Sequence, residues 1–222
     1  MTRSNRAHVT ALVLLFTGLG WATPAFAGPP LLCHPFEIGT AQSLPWDGSG
    51  GWSHAKRDYK VVNVVSDTDA LLTPSTPVLV RMETLRRASL YASTDAAIAK
   101  RLLDHLLARV DASEAKGRAD ALALLDAAYV TEAFREIASM SSSPEFADRA
   151  PGVRAAIGKT DAYALISRSI AARPDDPAIQ FAAALIAADK NRGRYNDHAS
   201  RARAGAATDQ LLARNLSLVE SR

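Results

Sequence analysis

The sequence predicts an all-α domain of packed antiparallel helix pairs, preceded by a mostly irregular segment. Three observations carry this. Beyond Pro77, apolar residues recur at three- and four-residue steps almost to the end of the chain. Polar breaks such as Ser93-Thr94-Asp95 and Ser141-Ser142-Ser143-Pro144 restart that count at helix-sized intervals. Residues 28–58, by contrast, are dense in Pro, Gly, Trp and Ser, which sustain neither a helix nor a central strand.

In chain order, residues 1–27 read as a cleaved signal peptide. Arg3 and Arg6 form a positive start, Val9 to Ala22 is an apolar run, and Ala25-Phe26-Ala27 offers small residues at a cleavage site, so that Gly28 would begin the mature protein. A membrane span needs roughly 20 apolar residues, and this run is shorter. No twin-arginine pair precedes it, so the general secretory route is expected, with no stable membrane anchor after cleavage. The Ala-rich, Arg-over-Lys composition suits a bacterium, which makes the destination periplasmic or secreted.

Residues 28–75 form the next unit. Its loop chemistry includes Pro29-Pro30, Pro35, Pro45 and Asp47-Gly48-Ser49-Gly50-Gly51, yet Leu31, Leu32, Phe36, Ile38, Leu44, Trp46 and Trp52 are too apolar for a free linker. The expectation is a segment docked on the helices and pinned by its aromatics. Residues 59–72 fit strand or helix, and helix is preferred because a lone strand would leave its backbone groups unpaired.

Residues 76–222 form the helical domain. Thr76 is the expected N-cap of the first long helix, with Pro77 at its first position and a stripe of Leu79, Met82 and Leu85. The second helix runs from about Ala96 to Val110 and the third from about Arg118 past Ile137. After a weaker stretch at 147–159, helices follow at about Asp161 to Ala172, Pro177 to Asp189, Arg194 to Ala206 and Asp209 to Val219. Each stripe covers about a third of its helix, as for helices packed side by side.

Within this domain, Ala162, Ile166, Ser169 and Pro174 fall where the second helix of a tetratricopeptide repeat and its closing Pro would put them. Asp175-Asp176-Pro177-Ala178-Ile179 then opens a next unit, with Gly193-Arg194-Tyr195 as its turn. Residues 161–206 thus resemble a degenerate tetratricopeptide-like helical repeat, although His198 stands at a small-residue position and no closing Pro follows. The resemblance implies a TPR-like or α-solenoid-like stack, or an irregular bundle of the same pairs, presenting a face to a peptide or protein.

Charge narrows the partners. The chain has 26 basic and 23 acidic residues; loss of Arg3 and Arg6 leaves 24 against 23, near neutrality, so no nucleic-acid footprint is expected. Cys33 is the single cysteine, which rules out an internal disulfide and leaves a buried thiol, an intermolecular disulfide or a ligand. Cys33, His34, Trp46, Trp52 and His54 are the candidates for a small-ligand, metal or haem site, although adjacent Cys and His cannot easily bind one ion together. Arg81, Arg86 and Arg87 are candidates for an anion; the simpler reading is exposed ion pairing, with Glu83 one turn before Arg87.

Catalytic signatures are weak. Ser49 sits in Asp-Gly-Ser-Gly-Gly, not the Gly-Asp-Ser-Gly-Gly order of trypsin-like enzymes, and no His and Asp partners accompany it. Gly152 to Thr160 mimics a phosphate loop with one residue too many between its glycines; Gly158 reads better as a C-cap and Thr160 or Asp161 as the following N-cap. The expected function is an exported, non-catalytic scaffold without cofactor, binding a peptide or protein. The alternatives are a small-ligand, metal or haem binder using the Cys33-His34 region, and an enzyme of unrecognised type.

Overall fold

A computed structural model describes residues 28–47 and 51–220; the expected signal peptide and the Gly48-Ser49-Gly50 turn lie outside them. Every regular element among the described residues is helical. Residues 59–72 resolve as helix: one 3-10 turn, Val61–Asn63, leads into α1, Val64–Leu71. Then come α2 (Val78–Ala92), α3 (Ala96–Glu114), α4 (Ala121–Ser139), α5 (Pro144–Ala147) and α6 (Ala150–Ile157). The chain ends with α7 (Ala162–Ala172), α8 (Pro177–Ala187), α9 (Arg192–Gly205), α10 (Gln210–Asn215) and α11 (Ser217–Glu220). None of these helices is long and apolar enough to cross a membrane.

Short polar side chains set the starts. Asp95, Asp120, Asp161 and Asp176 each accept hydrogen bonds from two of the first free N–H groups of α3, α4, α7 and α8. Asn191 and Asp209 do the same, with one bond each, for α9 and α10. Thr76 is not a cap. Pro77 holds that position, and the Thr76 hydroxyl instead donates to Leu71 O at 2.7 Å while accepting the Thr73 N–H, closing the α1–α2 turn.

Helix α4 is the axis of the molecule, touching α2, α3, α6, α7 and α8. It runs antiparallel to α7: Ser169 donates to Ala121 O at one end, and Arg135 donates to Thr160 O at the other. Helices α8 and α9 form another antiparallel pair, drawn so close that a Cβ on Gly205 would lie 2.3 Å from Pro177 Cβ. Gly152 serves the same purpose between α6 and α3, since its added Cβ would come within 2.8 Å of Ala96 Cβ. That contact explains the first glycine of the phosphate-loop mimic, which is a helix; Gly158, at φ +53°, caps its end and Asp161 starts the next one.

The expectation of one-third stripes fails for the central helices. In α2 every residue but Arg87 is buried, in α4 every residue but Arg135 and Ser139, and in α8 every residue but Pro177. A helix enclosed on all sides leaves no face to solvent. The enclosure of α2 comes partly from residues 31–46, which lay Leu31, Leu32, Phe36, Ile38 and Leu44 into the same core as the helices. Phe36 meets Tyr129 of α4 and Phe181 of α8 edge-to-face, with ring centroids 6.4 and 6.2 Å apart.

Candidate functional site

Residues 31–46 make few backbone hydrogen bonds of their own, so burying them demands partners from elsewhere. Charged and phenolic side chains of α2 and α4 supply these. Glu83, with 0% of its surface exposed, is the hub. Its Oε2 accepts the Phe36 N–H at 3.0 Å and Arg86 Nε at 2.8 Å, while Oε1 accepts Arg86 Nη2 at 2.9 Å and Arg87 Nε at 2.7 Å. The two arginines pass the connection outward. Arg86 Nη1 donates to Leu32 O and Trp52 O, and Arg87 Nη1 to Leu44 O at 2.6 Å.

Helix α4 holds the beginning of the segment. Glu136 accepts the Leu31 N–H on both carboxylate oxygens, at 3.0 and 3.1 Å, and Tyr129 donates its hydroxyl proton to Leu31 O at 2.7 Å. Burial pushes the Tyr129 phenol well above its ordinary pKa, so it stays a donor. Six residues on from Leu31, Asn215 of α10 clasps Glu37, accepting its N–H at 2.9 Å and donating to its carbonyl at 3.0 Å.

These contacts relocate the arginine candidates. The Glu83–Arg87 pair expected one turn apart is present, but its carboxylate is buried and Arg87 half-buried rather than exposed. The reason is that α2 faces an irregular segment whose main chain needs strong donors and acceptors. Arg81 is likewise buried and engaged: its Nε donates to Asp126 Oδ1 at 2.8 Å, its Nη2 to Asp126 Oδ2, and its Nη1 to Thr73 O at 2.7 Å. Burial raises the Asp126 carboxyl above the ordinary carboxylate range, and the Arg81 fork opposes that shift.

The Cys33 group disperses along the segment. The half-buried Cys33 thiol packs against Gly28, where an added Cβ would stand 3.0 Å from Sγ. The Trp46 ring lies under the Arg86 and Arg87 guanidiniums, 4.9 and 6.0 Å from its centroid, and edge-on to Tyr91. Trp52 stacks on Phe146 of α5 at 5.7 Å, and His54 is exposed. Arg86 is the link between the tryptophans, touching the Trp46 ring and the Trp52 carbonyl. Among the described residues, no three His, Cys, Asp or Glu side chains come together as a metal site would require.

Sequence reasoning did not single out a second feature, a cleft of about 500 Å³ at the far end of α3 and α4. Arg109 of α3, Lys116 and Arg118 of the α3–α4 loop, and Arg173 at the end of α7 stand around it, with Arg81 at its base. The one carboxylate on its wall, Asp120, is occupied in capping α4. Between the cations lie small apolar surfaces of Pro74, Ala112, Leu122 and Ala172. The four cations outside Arg81 belong to three separate segments, which is why no local motif announces them.

No family model, no curated protein and no solved structure matches this chain.

Proposed function

We propose that the chain is an exported, non-catalytic helical scaffold that binds a peptide or protein partner. The observation that supports this most directly is the cationic cleft where α3, α4 and α7 converge, a concave surface that side chains from three segments line and that the docked residues 31–46 do not fill. Clefts between packed helices are where such arrays receive ligands. The second support is the degenerate repeat-like pairing of residues 161–206, which implies the same use. Asp126 and Glu83 are not free for acid–base work on a substrate, since guanidiniums and main-chain groups already engage their oxygens.

The test is site-specific photo-crosslinking in the native host. A photoreactive residue replacing exposed Ala112 or Ala119 at the cleft should give a discrete adduct with a single partner, and one replacing exposed Ala147 or Ala213 away from it should not. Adducts equal in pattern at all four positions, or none at the cleft, would overturn the scaffold reading.

A further inference from the structure

Whether the cleft cations already have partners decides what the cleft can receive. Arg81 is saturated by Asp126 and Thr73 O. Arg109 is held loosely: its contacts to Asp126, Asp69 and Leu72 O are 3.5, 3.7 and 3.5 Å, beyond ordinary hydrogen-bond length. Arg173 reaches Asp176 only at 3.9 Å. Lys116 and Arg118 are exposed, and among the described residues neither side chain has an ion pair or a hydrogen bond. Four cations with weak or no partners thus surround one concavity whose sole wall carboxylate is spent on a helix cap. A concave wall on which four cations face a single carboxylate carries a net positive field, and counter-charge is what such a field collects.

The geometry points to an acidic peptide segment as the occupant, bound with its carboxylates on Arg109, Lys116, Arg118 and Arg173 and its methylenes on Pro74, Ala112, Leu122 and Ala172. This rests on the scaffold reading and names the chemistry of its partner. Three features favour a peptide over other anions. The apolar surface between the cations would be wasted on an inorganic ion but suits the stems of Glu side chains. The volume of about 500 Å³ far exceeds a single oxyanion's needs. No aromatic ring lines the cleft, so bases of a single-stranded nucleic acid would have nothing to stack on.

The experiment is fluorescence anisotropy with the purified full chain and a labelled hexaglutamate peptide, beside an uncharged Gly-Ser peptide of equal length. Saturable binding of the acidic peptide alone is expected, weakening as salt rises from about 50 to about 200 mM. The double variant Lys116→Glu, Arg118→Glu should lose at least about tenfold in affinity. Lys60→Glu with Lys159→Glu, which changes net charge equally at exposed positions off the cleft, should stay within about twofold. Since Lys116 and Arg118 are exposed loop residues without side-chain partners, their reversal leaves the core untouched. Equal binding by both double variants would overturn the assignment, as would inorganic phosphate displacing the peptide completely at a few-millimolar level. Cleft crosslinks to a partner together with no hexaglutamate binding would overturn the acidic chemistry while sparing the scaffold reading. Hexaglutamate binding without any crosslinked partner would do the reverse.

Discussion

Helices α2 and α8 are both shut off from water on nearly every side, yet they achieve it with opposite chemistry. Helix α8 buries Ala, Ile, Phe and Leu and one polar residue, Gln180, whereas α2 buries Arg81, Glu83, Thr84, Arg86 and Ser89 among its apolar residues. The difference follows from what each helix faces. Helix α8 packs on α7, α9 and α4, whose backbones satisfy themselves, so small apolar surfaces are enough. Helix α2 faces residues 31–46, whose amides and carbonyls have no ladder of their own, so the helix must bring the hydrogen bonds with it. The buried charge of Glu83 and Arg86 marks where regular structure meets irregular chain, while the Arg81–Asp126 pair ties α2 to α4.

The sharpest way to break that contrast is at Glu83. Removing it as Glu83→Ala strands Arg86, Arg87 and the Phe36 N–H without their acceptor, and deleting one partner of a buried charge cluster costs about 3–5 kcal/mol. Chemical denaturation should register that loss, and hydrogen exchange should show residues 31–46 opening first while α7–α9 stay protected. Uniform loss of protection across both regions would mean that the two are not distinct.

In the apolar region the equivalent fault is steric. Gly205→Ala drives a methyl into Pro177 and should destabilise by about 1–3 kcal/mol, without altering exchange in residues 31–46. A neutral result would show that the α8–α9 contact has slack.

The smallest effect concerns the polar link among α7, α8 and α9. His198 shares a 2.7 Å hydrogen bond with Gln180 Oε1 and a 3.0 Å one with the Tyr163 hydroxyl. Its pKa is lowered from 6.5, by burial first and then by Arg201 and Arg194, against Asp197. A depressed histidine keeps the folded state neutral while the unfolded chain protonates. The full contribution is therefore present above pH 6.5 and declines as pH falls from there towards the depressed folded value. Denaturation midpoints between pH 7 and pH 5 should fall less steeply for His198→Gln than for the parent. An unchanged slope would remove His198 from the pH response.

Much of the helical framework was legible because its signals are local. Asp95, Asp161, Asp176 and Asp209 announce starts that Ala- and Leu-rich periodicity then confirms, and the helices near 161, 177 and 209 begin within a residue or two of the expected places. The reading of Arg81, Glu83, Arg86 and Arg87 as a solvated face failed because pairing distance along a helix says nothing of what covers the pair. A signal did exist in α4, where Asp126 is a lone acid inside the apolar run Ala121 to Val130; an acid so placed needs a buried cation. The cleft had no comparable signal. Arg109, Lys116 and Arg118 are neighbours along the chain, but Arg173 and Arg81 reach them only through the fold.

The stitching of residues 31–46 also has a kinetic meaning. Leu31 waits for Tyr129 and Glu136, separated from it by 98 and 105 positions, and Glu37 waits for Asn215, 178 positions later. Such closures are slow, because entropy is lost over long loops before any contact rewards it. A chain synthesised from its N-terminus therefore carries Leu31 without these partners until residue 136 has been added, and Glu37 without its clasp until residue 215 has been. The segment near the start of the helical fold is thus fully secured only when a helix 178 positions downstream is in place.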